Sequence, residues 1–146
     1  MPSIQKKKIV IAVGGASGSV YAYRLLKKLR SLSDQVAGIS VIFSENARQI
    51  WNEELGKPIV SEQDLTIFEN TDFYAPIASG SNKVDVMIIV PSSMGMLGRI
   101  ANGISDDLIT RAADVMLKER CRLIIVPRET PLSLIHIRNM ESLTLA

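Results

Sequence analysis

Four stretches of the chain are apolar at nearly every position: residues 8–13, 36–43, 84–90 and 122–126. Uninterrupted apolar runs of this length fit strands buried on both faces, as in a parallel sheet. Helical patterns lie between them. After residue 18, Val20, Leu25, Leu26, Leu29 and Leu32 fall on one side of a helix, with Arg24, Lys27, Lys28 and Arg30 mostly on the other. Ser44 stands where it can cap a second helix that turns Ala47, Ile50 and Trp51 inward. Two more helical patterns cover 94–102 and 107–119, parted by Gly103, and a last one covers 133–146. Residues 55–83 read as less regular, broken by Gly56, Pro58, Pro76, Gly80 and Asn82. Strands alternating with helices predict one α/β domain over 1–146, Rossmann-like or flavodoxin-like. Its sheet is expected to be open and mostly parallel, with helices on both faces.

Such sheets bind ligands at the carboxyl ends of their strands. The loops at 14–18, 44, 91–96 and 127–131 all fall at such ends, which predicts one composite site. Bulk properties narrow what that site does. A net charge of +2 over 146 residues argues for neither a nucleic-acid nor a membrane partner. Aromatic residues make up only 5%, too few for a base-stacking platform. Cys121 is the one cysteine, so no internal disulfide forms, which fits a cytoplasmic setting. Residues 1–8 resemble the start of a signal peptide, but the apolar run after them is too short for one, and no stretch is long enough to span a membrane.

Gly14-Gly15-Ala16-Ser17-Gly18 follows the first strand. Its glycines let the backbone approach a ligand, and the helix start behind it attracts anions. It reads either as a phosphate or flavin loop or as a tight turn; it is neither G-x-G-x-x-G nor a P-loop. Ser92, Ser93, Met94, Gly95 and Met96 form a second corner of that kind, or an ordinary helix cap. Arg111, Asp114 and Lys118 share one helix face, as a binding group or as a solvated charge ladder. Arg128 and Glu129 lie between Pro127 and Pro131. The arginine fork suits a phosphate or flavin carbonyl and the acid suits proton transfer, unless the two simply pair with each other. Glu53 and Glu54 read as a solvated helix end. His136 has no partner for a metal site and is expected on a helix surface or interface, and no metal is expected.

Taken together these segments resemble the flavin prenyltransferase (UbiX-like) family. Residues 15–18 resemble its first flavin loop, and 75–81 its A-P-x-A-S-G-S segment. Residues 92–104 resemble its C-S-M-x-T-L…I-A-N-G stretch. Residues 110–140 carry T-R-A-A-D-V, L-K-E-R, V-P-R-E-T-P-L and I-R-N-M in order. The resemblance implies that FMN is held by Gly15, Ala16, Ser17, Ser44, Ser93, Met94, Gly95, Met96 and Arg128. It implies that Glu54 and Glu129 flank the reacting centre, and that Arg111 and Lys118 lie near the prenyl phosphate.

The implied reaction joins the dimethylallyl group of dimethylallyl phosphate to N5 and C6 of reduced FMN. The prenylated product would serve a UbiD-like decarboxylase. The resemblance also implies a symmetric homo-oligomer with sites near subunit boundaries. Two departures stand out. Ser92 and Met96 replace a usual Cys and Thr, and the latter change removes a hydroxyl. Family members run about one third longer, and the pattern here stops inside a helix, so a last strand and helix with a Tyr and a basic residue are expected to be missing. This leaves an FMN-binding but inactive protein as one alternative. A flavin-dependent cysteine decarboxylase is another, suggested by residues 100–108, although that type uses an early His and the only one here is His136.

Overall fold

The computed structural model describes residues 5–59 and 64–146. The elements run β1 (Lys7–Val13), α1 (Ser19–Arg30), β2 (Val36–Phe43), α2 (Ala47–Leu55), β3 (Leu65–Phe68), a 3-10 turn (Pro76–Ala78), β4 (Val86–Ser92), α3 (Met94–Ala101), α4 (Leu108–Lys118), β5 (Arg122–Pro127) and α5 (Leu134–Leu145). The strands form one sheet in the order β3-β2-β1-β4-β5, and every neighbouring pair is parallel. The α/β expectation holds.

β1 shows why its run is continuously apolar. Ile9, Ile11 and Val13 point into a core closed by α1 and α2, around Ala22, Leu26 and Trp51. Val10 and Ala12 point into the opposite core, closed by α3 and α4 around Met96, Ile100, Leu108 and Ala112. A central strand covered on both faces has no polar side to show. Phe43 and Trp51 meet edge to face at 5.3 Å, locking α2 onto β2.

The structure departs from expectation in three places. β3 is a fifth strand inside the segment read as less regular. It has four residues and pairs with β2 from Ile39 to Ile42, too short to show a period. On α1, Val20 is 38% exposed, and Ser19 and Ala22 take the buried positions nearby. Ser44 does not cap α2, which starts from Asn46. The Ser44 carbonyl accepts from Ala47 N–H, and its hydroxyl is left over.

The order reverses at β1: the chain steps outward through β2 and β3, then crosses to β4 and β5. This is the point at which doubly wound sheets leave a crevice. β5 at the far edge is less covered, with Ile124 and Val126 exposed, and α5 beyond it has no fully buried residue.

Candidate active site

Backbone hydrogen bonds stitch the four predicted turns into one rim. Ser44 N–H donates to Val13 O at 3.0 Å, Gly14 N–H to Pro91 O at 2.9 Å, and Arg128 N–H to Ser92 O at 3.0 Å. The ends of β1, β2, β4 and β5 are therefore adjacent. Gly14 is obligatory in this arrangement, because a Cβ there would lie 2.4 Å from Pro91 O.

A cleft of about 810 Å³ opens on this rim, and Gly15, Ser44, Ser93 and Met96 all line it. Ser93 caps α3, its Oγ accepting from Met96 N–H at 3.2 Å. Ser92 is buried and turns its hydroxyl to Ser93 O. Met94 is buried and does not line the cleft; Gly95 is exposed on the first turn of α3. The Ser44 hydroxyl oxygen is buried and, among the described residues, has no hydrogen-bond partner. An orphaned hydroxyl is costly unless a ligand completes it. Beside a glycine loop and a capped helix start, it suits the phosphate or sugar oxygens of a mononucleotide such as FMN.

The neighbouring corner, at the start of α1, is filled from within. Glu54, at the end of α2, accepts from Ser17 Oγ at 2.5 Å, from Gly18 N–H at 3.1 Å and from Ser19 N–H at 2.7 Å. The Ser17 hydroxyl, foremost, holds the Glu54 carboxyl below its ordinary range; burial opposes this, and the Ser19 and Gly18 N–H groups add to it. Glu54 is thus no idle helix end, whereas Glu53 simply accepts from Gln49. Ser17 does not cap α1 itself. Gly18 is the cap residue, at φ +122°, and the carboxylate supplies the capping atoms.

Arg128 and Glu129 do not pair. Glu129 accepts from Thr130 N–H at 3.1 Å, and among the described residues the exposed Arg128 guanidinium has no ion-pair partner. Neither Arg111 nor Lys118 lines the cleft. Arg111 donates to Ala78 O at 3.1 Å and approaches Asp114 at 3.5 Å, while Lys118 pairs with Glu119. The expected ladder thus forms only between Arg111 and Asp114. Asp107, capping the start of α4, lines the cleft, and Lys118 closes the other end of the same helix. At 1.5 Å per residue that separation is roughly 16 Å. Ser133 caps α5, and His136 completes the capping box, its Nδ1 accepting from Ser133 N–H at 3.2 Å. Among the described residues no cluster of metal-binding type occurs, and no helix is long and apolar enough to cross a membrane.

Residues 2–144 match the family model described as Flavoprotein. The flavin prenyltransferase UbiX of Methanocaldococcus jannaschii is 45% identical over 139 residues, covering 94% of this chain and 73% of that one. The chain belongs to the UbiX-like flavin prenyltransferase family. The crystal structure of AnUbiX (PadA1) in complex with FMN and dimethylallyl pyrophosphate superposes with a TM-score of 0.88 at 40% identity, covering 97% of this chain and 74% of that one. A dodecameric FMN-dependent UbiX-like decarboxylase from Escherichia coli O157:H7 gives a TM-score of 0.84 at 36% identity, covering 94% and 75%. This UbiX-like chain therefore spans about three quarters of the length of these relatives.

Among the cleft-lining residues that sequence reasoning missed are its two arginines, Arg48 and Arg99. A signal for the second was present. Arg99 is the one charged residue in α3, whose sequence is otherwise M-G-M-L-G-x-I-A.

Proposed function

We propose that this chain is a flavin prenyltransferase, holding reduced FMN in the rim cleft and joining the dimethylallyl group of dimethylallyl phosphate to it. The prenylated FMN then serves a UbiD-like decarboxylase. The observation that carries this reading is the convergence of Gly15, Ser44 and Ser93 on one cleft that holds an orphaned hydroxyl, with the Arg128 turn hydrogen-bonded to the neighbouring Ser92. Its support from kinship is the 45% identity to a named flavin prenyltransferase.

Bound reduced FMN supplies the nucleophilic N5 and then C6, so the protein's tasks are orientation, charge and proton handling. Gly15, Ala16 and Ser44 hold the cofactor, with Ser93, Gly95 and Met96 along the start of α3. Met94 acts from beneath, packing that start into the core. Arg128, with no ion-pair partner among the described residues, offers its fork to the flavin. Ser17 presents a hydroxyl at the rim whose proton rests against Glu54 Oε1. This pair can take up a proton beside the reacting centre, Glu54 starting ionised and becoming neutral as it accepts the proton directly or through the Ser17 hydroxyl. Glu129, exposed next to Arg128, is the second acid there.

Arg111 and Lys118 are assigned to the departing phosphate, where cationic groups stabilise developing charge. Neither lines the cleft, and Lys118 stands at the far end of α4 from it, which favours a homo-oligomer in which a neighbouring copy brings basic groups to the rim, as the dodecameric relative suggests. The same observation favours a second outcome for an unassembled chain: FMN binding without turnover.

The test is anaerobic incubation of the protein with reduced FMN and dimethylallyl phosphate, followed by mass spectrometry of the released flavin. A prenylated flavin mass is expected from assembled protein, and Arg111→Met or Lys118→Met is expected to abolish it without lowering FMN affinity. A protein that binds no FMN overturns the reading.

A further inference from the structure

Two guanidinium groups reach the cleft from opposite sides, Arg48 on α2 and Arg99 on α3, with Gly15, Ser44 and Ser93 also lining it. Arg48 Nη2 donates to Glu69 at 2.6 Å, and its guanidinium lies over the Phe43 ring at 5.3 Å. Arg99 donates from Nη1 alone, to Asp106 at 2.6 Å and to Asp107 at 3.0 Å. Each arginine therefore commits one terminal nitrogen to carboxylates. The rest of each fork has no partner among the described residues. The carboxylates fix the two side chains in place, and the arginine side chains are only 42% and 33% exposed. An exposed ion pair is worth little to stability, so two half-used arginines beside an orphaned hydroxyl need another explanation. A phosphomonoester dianion has three oxygens to share between two forks and a hydroxyl.

We infer that Arg48 and Arg99 form a clamp that takes the terminal phosphate of the cofactor, with the Ser44 hydroxyl between them. This rests on the reading of the cleft as an FMN site. It assigns the Ser44 end to the phosphate and leaves the Ser17–Glu54 and Arg128 end to the ring. It also gives the cleft a reason to prefer a flavin mononucleotide over the unphosphorylated flavin.

The test is titration of the whole protein with FMN and, separately, riboflavin, each followed by quenching of flavin fluorescence. Wild type is expected to bind FMN far more tightly than riboflavin. Arg48→Met and Arg99→Met are each expected to weaken FMN by about tenfold or more, the scale of a lost charge-assisted hydrogen bond, and to leave riboflavin unchanged. Arg99→Lys keeps the charge without the fork and should fall between wild type and Arg99→Met. Arg99 also braces Asp107 at the start of α4, so riboflavin affinity doubles as the check on folding, and Arg48→Met, which touches no cap, is the independent variant. Unchanged FMN affinity in both methionine variants, or equal losses for FMN and riboflavin, overturns the clamp while the flavin reading stands. A wild type that binds neither flavin overturns both.

Discussion

Two corners of the rim look alike in sequence and differ in the fold. Each is a glycine- and serine-rich turn that leaves a strand and opens a helix. At the start of α1 the exposed N–H groups and the Ser17 hydroxyl are met by the protein's own Glu54. At the α3 corner Ser93 caps its helix, but the Ser44 hydroxyl across the cleft has no partner among the described residues and two arginines line the same cleft. The first corner supplies its own anion; under the proposed clamp, the second takes one from outside. A helix start with small polar residues therefore announces an appetite for negative charge without saying whose charge satisfies it.

The comparison assumes that both corners hang from one joint, and the largest expected effect tests that joint. Gly14→Ala would push a methyl into Pro91 O, at the junction of β1 and β4 from which both corners start. It should cost about 3 kcal/mol, as overpacking against backbone does, and abolish flavin binding. A thermal melt with a flavin titration checks it, and a variant as stable as wild type would break the assumption.

The next test separates the corners. Glu54→Ala removes an internal cap and should destabilise by about 1 kcal/mol, read from urea unfolding. The effect should depend on pH in a stated direction. The folded-state pKa of Glu54 lies below the ordinary 4.5. Its contribution is therefore full above that value and is lost as pH falls through the depressed one. The stability gap between wild type and Glu54→Gln should accordingly close on acidification; a gap that stays constant would mean that the carboxylate's charge does not matter there.

The smallest effect on stability, and the sharpest contrast, belongs to Ser44→Ala. Removing a hydroxyl that has no partner should leave stability unchanged or slightly raised. FMN affinity should nevertheless fall by about tenfold, the scale of one hydrogen bond to a charged group. If Ser44→Ala destabilised the protein as Glu54→Ala does, the two corners would be equivalent and the distinction would fail.

The fold was largely legible, and the one strand that escaped did so for a physical cause. β1, β2, β4 and β5 are apolar runs because their side chains meet core on one or both faces. β3 escaped because four residues at an edge carry too little pattern, and its existence depends on pairing with β2 rather than on propensity. The site was legible as a set of turns, since their place at strand ends follows from the alternation of strands and helices. Its wiring was not. Ser17 and Glu54 are 37 residues apart, and nothing local joins them. Ser44 had the residue type of a cap but stands two positions before the actual cap residue, Asn46. Arg111 and Lys118 share a helix face, which spacing showed, yet neither lines the cleft.

The sequence by itself determined which segments are helix and, β3 apart, which are strand, that the sheet is parallel, and that the candidate flavin-binding turns lie at the carboxyl ends of its strands. These follow from side-chain periodicity and backbone freedom, which are local. Only the tertiary structure decided which anion-seeking corner is already filled, which arginines reach the cleft, and which basic residues a single chain keeps away from it. Those are matters of distance between residues remote in the chain, settled when the two cores close on the sheet.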